Sequence, residues 1–178
     1  MHTELATPYF QNGNLIVALE ELTIAVSINP NYAQAYSTRG LVLYYIKEFA
    51  SAEKDFQRAL DLDAKDPEIN NNYGWYLCHT GRVKESIEYF QKALRNPLYR
   101  TPELAYLNAA TCHVKLGELD VAEEYVRKIL ELAQAEGIEV MLLGIPNPDY
   151  AHDHMYYNAL WSIPEEYGIS GINYNDPL

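Results

Sequence analysis

The chain has 178 residues, room for one sizeable core or a short repeat array with an appendage. Its hydrophobic content of 48% argues against intrinsic disorder, and 25 acidic against 13 basic side chains leave a net charge of −12. That sign repels phosphate backbones and anionic headgroups, which sets aside nucleic acid and membrane surfaces as partners; with no apolar window of 18 residues, direct membrane insertion is not expected.

The opening Met1-His2-Thr3-Glu4 has neither the basic end nor the apolar stretch of a signal peptide, so the expectation is a cytosolic protein or a mature or truncated chain. Leu5-Ala6 with Tyr9 reads as part of a first helix, and Gly13-Asn14-Leu15 leads into a second one carrying Ala18, Leu22 and Ala25. After Pro30, Arg39-Gly40 with Leu43 marks the next helix, and Lys47-Glu48-Phe49 opens its partner with Ala52, Phe56 and Ala59. Past Pro67 come Tyr73-Gly74 with Leu77, then Gly81-Arg82-Val83 with Ser86, Phe90 and Ala93. Past Pro102, Gly117-Glu118-Leu119 leads to Ala122, Val126 and Ile129. The anchors 13, 47, 81 and 117 are 34, 34 and 36 residues apart.

A small residue at 18, 52, 86 and 122 lets two antiparallel helices approach, and a larger one four positions on fills the gap on the same face. Gly40 and Gly74 in mid-helix each cost about 1 kcal/mol against alanine, so their presence predicts a close contact there. The prolines stand where helices must stop. A 34-residue helix-pair period resembles the tetratricopeptide repeat (TPR). The fold class expected is all-α, a TPR superhelical solenoid of four repeats over residues 1–32, 33–66, 67–100 and 101–135, followed by a short non-repeat α/β-like segment over 136–178.

In such a solenoid the first helices line a concave groove. The inward candidates are Gln34, Ser37, Leu41, Tyr44 and Tyr45; Glu68, Asn71, Asn72, Trp75, Cys78 and His79; and Leu104, Leu107, Thr111, Val114 and Lys115. Tyr44, Tyr45 and Trp75 are rigid amphipathic anchors of the kind that hold a partner, although each also suits packing between helices. TPR co-chaperones grip acidic tails with Lys and Arg; here the corresponding positions are Ser37, Leu41, Leu104 and Asn108, with only Asn72 matching, so a carboxylate clamp is not expected.

The stretch Asn71-Asn72-Tyr73-Gly74-Trp75-Tyr76-Leu77-Cys78, the junction Asn96-Pro97-Leu98-Tyr99-Arg100-Thr101-Pro102 and Leu107-Asn108-Ala109-Ala110-Thr111-Cys112 resemble the PilF/PilW-type TPR proteins of type IV pilus biogenesis, over residues 4–134. The resemblance implies a periplasmic, outer-membrane-associated scaffold that helps the pilus secretin assemble; cytoplasmic is the alternative. It also implies the longer third-to-fourth junction and a cysteine in each flanking first helix. Those members begin with a lipoprotein signal and continue with further repeats, and this sequence shows neither. Cys78 and Cys112 fall on neighbouring first helices, either as a bridge stabilising by about 3 kcal/mol or less or as two buried thiols. Two cysteines without a compact His/Cys cluster do not complete a tetrahedral metal site.

After Ala135 the period fails. No Lys or Arg follows Lys128, and Ile138-Glu139-Val140-Met141-Leu142-Leu143-Gly144-Ile145 is an apolar run of strand length before Pro146-Asn147-Pro148. A helix over 153–167, closed by Gly168, and an extended piece over Ile169–Tyr174 complete a strand–helix–strand order. Gly137 to Pro148, Tyr157-Asn158 and Glu165-Glu166-Tyr167-Gly168-Ile169 resemble an interior piece of SGNH (GDSL-type) hydrolases, but the Gly-Asp-Ser and Asp-x-x-His motifs are missing. His152-Asp153-His154 reads as a polar loop, with Asp153 capping a helix. The function expected is a non-catalytic scaffold that binds another protein or peptide without cofactor or metal, a pilus secretin or other pilus-assembly component by resemblance. The alternatives are the TPR part of a TPR–hydrolase fusion and a generic cytosolic TPR adaptor.

Overall fold

A computed structural model describes residues 13–135, and among them it forms seven α-helices and no strand. They are α1 (Leu15–Ile28), α2 (Ala33–Tyr45), α3 (Phe49–Leu62), α4 (Pro67–His79), α5 (Val83–Leu94), α6 (Pro102–Leu116) and α7 (Leu119–Ala135). The Leu5-Ala6-Tyr9 helix and the strand–helix–strand expected over 136–178 lie outside the described residues. Two compact units part after Asn108, within α6.

The helices pair because the turns between them are built to reverse direction. Gly13, Lys47, Gly81 and Gly117, the four anchors of the repeat, all have positive φ, from 67° to 89°. In three of these turns the amide after the anchor donates to the carbonyl five residues back: Glu48 to Leu43, Arg82 to Leu77 and Glu118 to His113, at 2.9, 2.9 and 3.0 Å. This bond closes the preceding helix's last turn and satisfies a carbonyl that would otherwise lack a partner. Asp66 starts α4 with equal clarity: its carboxylate accepts from the amides of Glu68 and Ile69, and Pro67 takes the first helical position, where a missing N–H costs nothing.

The small-and-large pairing sets the interior of the first unit. Ala18, Ala52 and Ser86 are fully buried, and so are Leu22, Phe56 and Phe90 four residues on. A Cβ built on Gly40 would lie 3.0 Å from the Phe56 ring, and one on Gly74 would lie 2.8 Å from the Phe90 ring. The mid-helix glycines are therefore the sockets in which the second-helix aromatics sit. Arg39 on α2 joins Asp55 on α3 through two bonds, Nε to Oδ2 at 2.6 Å and Nη2 to Oδ1 at 2.8 Å. This pairing holds the Asp55 carboxylate, itself only 7% exposed, in charge-assisted contact.

In the second unit, the Ala122 position is buried as expected, but Val126 and Ile129 are only half-buried, and Leu130 is the side chain that α7 buries. The fourth repeat carries Ala110 and Val126 where the third carries Gly74 and Phe90. His113 is also buried here, with Nδ1 2.6 Å from Glu118 Oε2 and its ring stacked on Tyr125.

Candidate functional site

Along the first helices α2 and α4 the chemistry changes from polar to aromatic. At the polar end, Gln34 donates to Asp66 Oδ2 at 3.2 Å, and Asn72 Nδ2 donates to Ser37 Oγ at 3.1 Å. Ser37 is 2% exposed and Asn71 5%, so these two groove candidates sit in the seam between helices. Asn71 Oδ1 accepts from Asn108 on α6 at 3.0 Å. Thus the polar side chains that lock one first helix to the next are also the ones beside the solvent-facing surface. Gln34, Ser37, Thr38, Glu68, Ile69 and Asn72 enclose an open cavity of about 180 Å³.

At the other end, four of the expected residues come together with two that pattern reading did not select. The Tyr44 ring meets Tyr45 (5.5 Å), Phe49 (5.5 Å), Trp75 (4.8 Å), Tyr76 (6.1 Å) and His79 (6.3 Å) edge-on. Tyr45 stacks on Trp75 at 5.7 Å, and Trp75 stacks on His79 at 4.1 Å with 25° between planes. His79 Nδ1 is also 2.8 Å from the Trp75 carbonyl, one helical turn back, which fixes the imidazole over the indole. Offset and edge-on rings of this kind contribute about 0.5–1.5 kcal/mol per pair beyond area burial, so the stack is rigid. Yet it is not interior: Tyr45 is 50% exposed, Phe49 46%, and His79 faces solvent. Leu41 is half-buried and packs on the core below. Phe49 and Tyr76 were missed because they occupy positions that elsewhere in the repeat carry ordinary packing residues; an aromatic at the start of a second helix was the available signal.

The remaining candidates lie on α6. Leu104 and Leu107 are 48% and 52% exposed, Thr111 and Lys115 are exposed, and Val114 is half-buried. Cys78 and Cys112 are buried, at 2% and 1% exposure, and neither is a free thiol. Among the described residues no group of three or more His, Cys, Asp or Glu is placed to hold a metal ion, and no helix is long and apolar enough to cross a membrane.

Models of the tetratricopeptide repeat match residues 3–67, 37–99 and 104–136. The chain belongs to the tetratricopeptide-repeat family. Within that family its relatives include the type IV pilus assembly protein PilF of Pseudomonas aeruginosa, 25% identical over 160 residues, covering 88% of this TPR chain and 64% of PilF. The crystal structure of PilW, a widely conserved type IV pilus biogenesis factor, superposes with a TM-score of 0.69 and 36% identity, over 74% of this chain and 60% of that one. A solved structure of Pseudomonas aeruginosa PilF gives a TM-score of 0.74 at 23% identity over 97% of this chain and 76% of that one, which establishes likeness of fold. The TPR chain thus spans a little under two thirds of the length of the first two. The likeness to PilF/PilW-type TPR proteins read from the two cysteine-bearing blocks and the long junction is borne out by these relatives.

Proposed function

We propose that this chain is a non-catalytic scaffold that holds a partner polypeptide on its first-helix face, in type IV pilus biogenesis at the periplasmic side of the outer membrane. The observation that carries the reading is the preassembled aromatic stack of Tyr44, Tyr45, Trp75 and His79 on α2 and α4, whose outer members face solvent. A rigid aromatic surface loses little entropy on binding, and it is the usual composition of an interface hot spot. The relatives PilF, a type IV pilus assembly protein, and PilW, a type IV pilus biogenesis factor, point to a pilus-assembly component, the secretin foremost, as the partner. Leu104, Leu107, Thr111 and Lys115, exposed or half-exposed on the first helix α6, are included as further candidate contacts. The reading includes a Cys78–Cys112 bridge tying the third repeat to the fourth, supported by the burial of both sulfurs and by the lack of a free thiol at either.

Titration of the purified chain with the purified secretin from the same source tests the reading. Saturable binding is expected, together with loss of binding in a Tyr45→Ala/Trp75→Ala double variant that keeps its helical spectrum. Undiminished binding by the folded variant, or none by the parent chain, would overturn it.

A further inference from the structure

The polar cavity and the aromatic stack lie on the same two helices and form one bipartite surface. Glu68 and Trp75 are seven residues apart on α4, as are Ser37 and Tyr44 on α2, which puts the two halves about 10 Å apart along the helix axes. Charge distinguishes the polar half. Glu68 is the one charged side chain lining the cavity, and Asp66 adds a second carboxylate at its edge through the Gln34 bond. Partial desolvation, and then the Asp66 charge, raise the Glu68 carboxyl above its ordinary value, whereas Arg100 pulls it down. The only Arg or Lys on α2 or α4 is Arg39, and both arms of its guanidinium contacting Asp55 are committed to that ion pair. The cavity lining thus presents the Glu68 carboxylate among amide and hydroxyl groups, with Asp66 at its edge and Arg100 the one cation that acts on Glu68, close to the inverse of a clamp for acidic tails.

From this arrangement, and resting on the protein-binding reading above, we propose that the partner segment carries a basic side chain, Lys or Arg, that enters the Glu68 cavity, and an apolar or aromatic side chain three residues away that lies on the Tyr45–Trp75–His79 stack. An extended polyproline-type segment repeats every three residues with a rise of about 3.1 Å each, so residues three apart share one side at a separation of about 9 Å, close to the spacing of the two halves. An ammonium or guanidinium is the ligand that satisfies a carboxylate together with hydroxyl and amide oxygens. The chain's net charge of −12 also steers a cationic segment toward it at low salt.

The test uses four labelled synthetic peptides read by fluorescence anisotropy against the whole chain: Arg-Pro-Pro-Trp, its reverse Trp-Pro-Pro-Arg, and both with glutamate in place of arginine. At low salt the better arginine peptide is expected to bind about tenfold tighter than either glutamate peptide, with the margin shrinking as salt rises. Glu68→Gln is expected to erase the preference and Glu68→Lys to invert it; Glu68 is exposed, so both variants fold, as their helical spectra would verify. Equal binding of the two charge types, or tighter binding of the glutamate peptides, overturns the inference. So does failure of every peptide to bind while the secretin still binds through Tyr45 and Trp75, an outcome that leaves the protein-binding reading standing. If secretin binding instead survives Tyr45→Ala/Trp75→Ala, that reading falls as well.

Discussion

Gly74 on α4 presses against the ring of Phe90 on α5 so closely that a Cβ at the glycine would come within 2.8 Å of Phe90 Cε1. Phe90 is fully buried, so its ring or the helix must shift to admit the extra methyl. Alanine would gain about 1 kcal/mol of helix propensity over glycine, but overpacking a filled core costs about 1–3 kcal/mol. Gly74→Ala is therefore expected to lower the denaturation midpoint, and Phe90→Leu in the same chain to be less damaging than it is alone. A double-mutant cycle by chemical denaturation checks this; strict additivity would contradict it.

The turns make an opposite pair of expectations. Lys47 stands at φ 67°, where its three counterparts are glycine at 76°, 89° and 78°. A non-glycine residue in the left-handed region costs about 1 kcal/mol, so Lys47→Gly is expected to stabilise by roughly 0.5–1 kcal/mol. Gly81→Ala is expected to destabilise by about 1 kcal/mol through backbone strain alone, since nothing lies within 4 Å of a Cβ there. Thermal melts of the two variants should move in opposite directions.

Alkaline pH should attack the interior. Burial, foremost, pushes the Tyr76 and Tyr99 phenols up from 10.0 to about 12. It raises Tyr73 still further, helped by the bond from its hydroxyl to Glu53 at 2.6 Å. The folded chain thus favours the neutral phenol. The stability this lends is whole below pH 10 and is lost as pH climbs through 12. Tyrosinate absorbance followed alongside helical circular dichroism should show a late-titrating group of phenols whose ionisation coincides with loss of helix. A single transition near 10 with the helices intact would contradict it.

The two cysteines give a chemical test. Titration with a thiol reagent in denaturant, without reductant, is expected to find no reactive thiol, and reduction to lower stability by about 3 kcal/mol. Two reactive thiols would remove the Cys78–Cys112 bridge from the proposal.

Repetition made most of this fold legible. A small residue, a large residue and a turn residue recurring every 34 positions fixed where helices pair, because only such a spacing lets successive hairpins nest. The same register identified Tyr44, Tyr45, Trp75 and His79 as first-helix surface residues. It did not show that they touch, since contact between rings depends on rotamers and on how far one helix slides past the next. Nor did it separate Ser37 and Asn71, buried in the helix seam, from Gln34 and His79 at the surface, because both environments accept a small polar side chain with a partner in reach. In α7 the register drifted by one residue: Leu130 rather than Ile129 is buried, and the smaller Val126 leaves less to insert between helices.

In the proposed function a partner seats on the first-helix face. Site-specific photo-crosslinking tests it most directly, with benzoylphenylalanine placed at Tyr45 on α2 or, as a control, at Lys84, which is exposed on the second helix α5. A crosslinked adduct with a pilus-assembly protein is expected from position 45 and not from position 84. Crosslinking from 84 with none from 45 would contradict it.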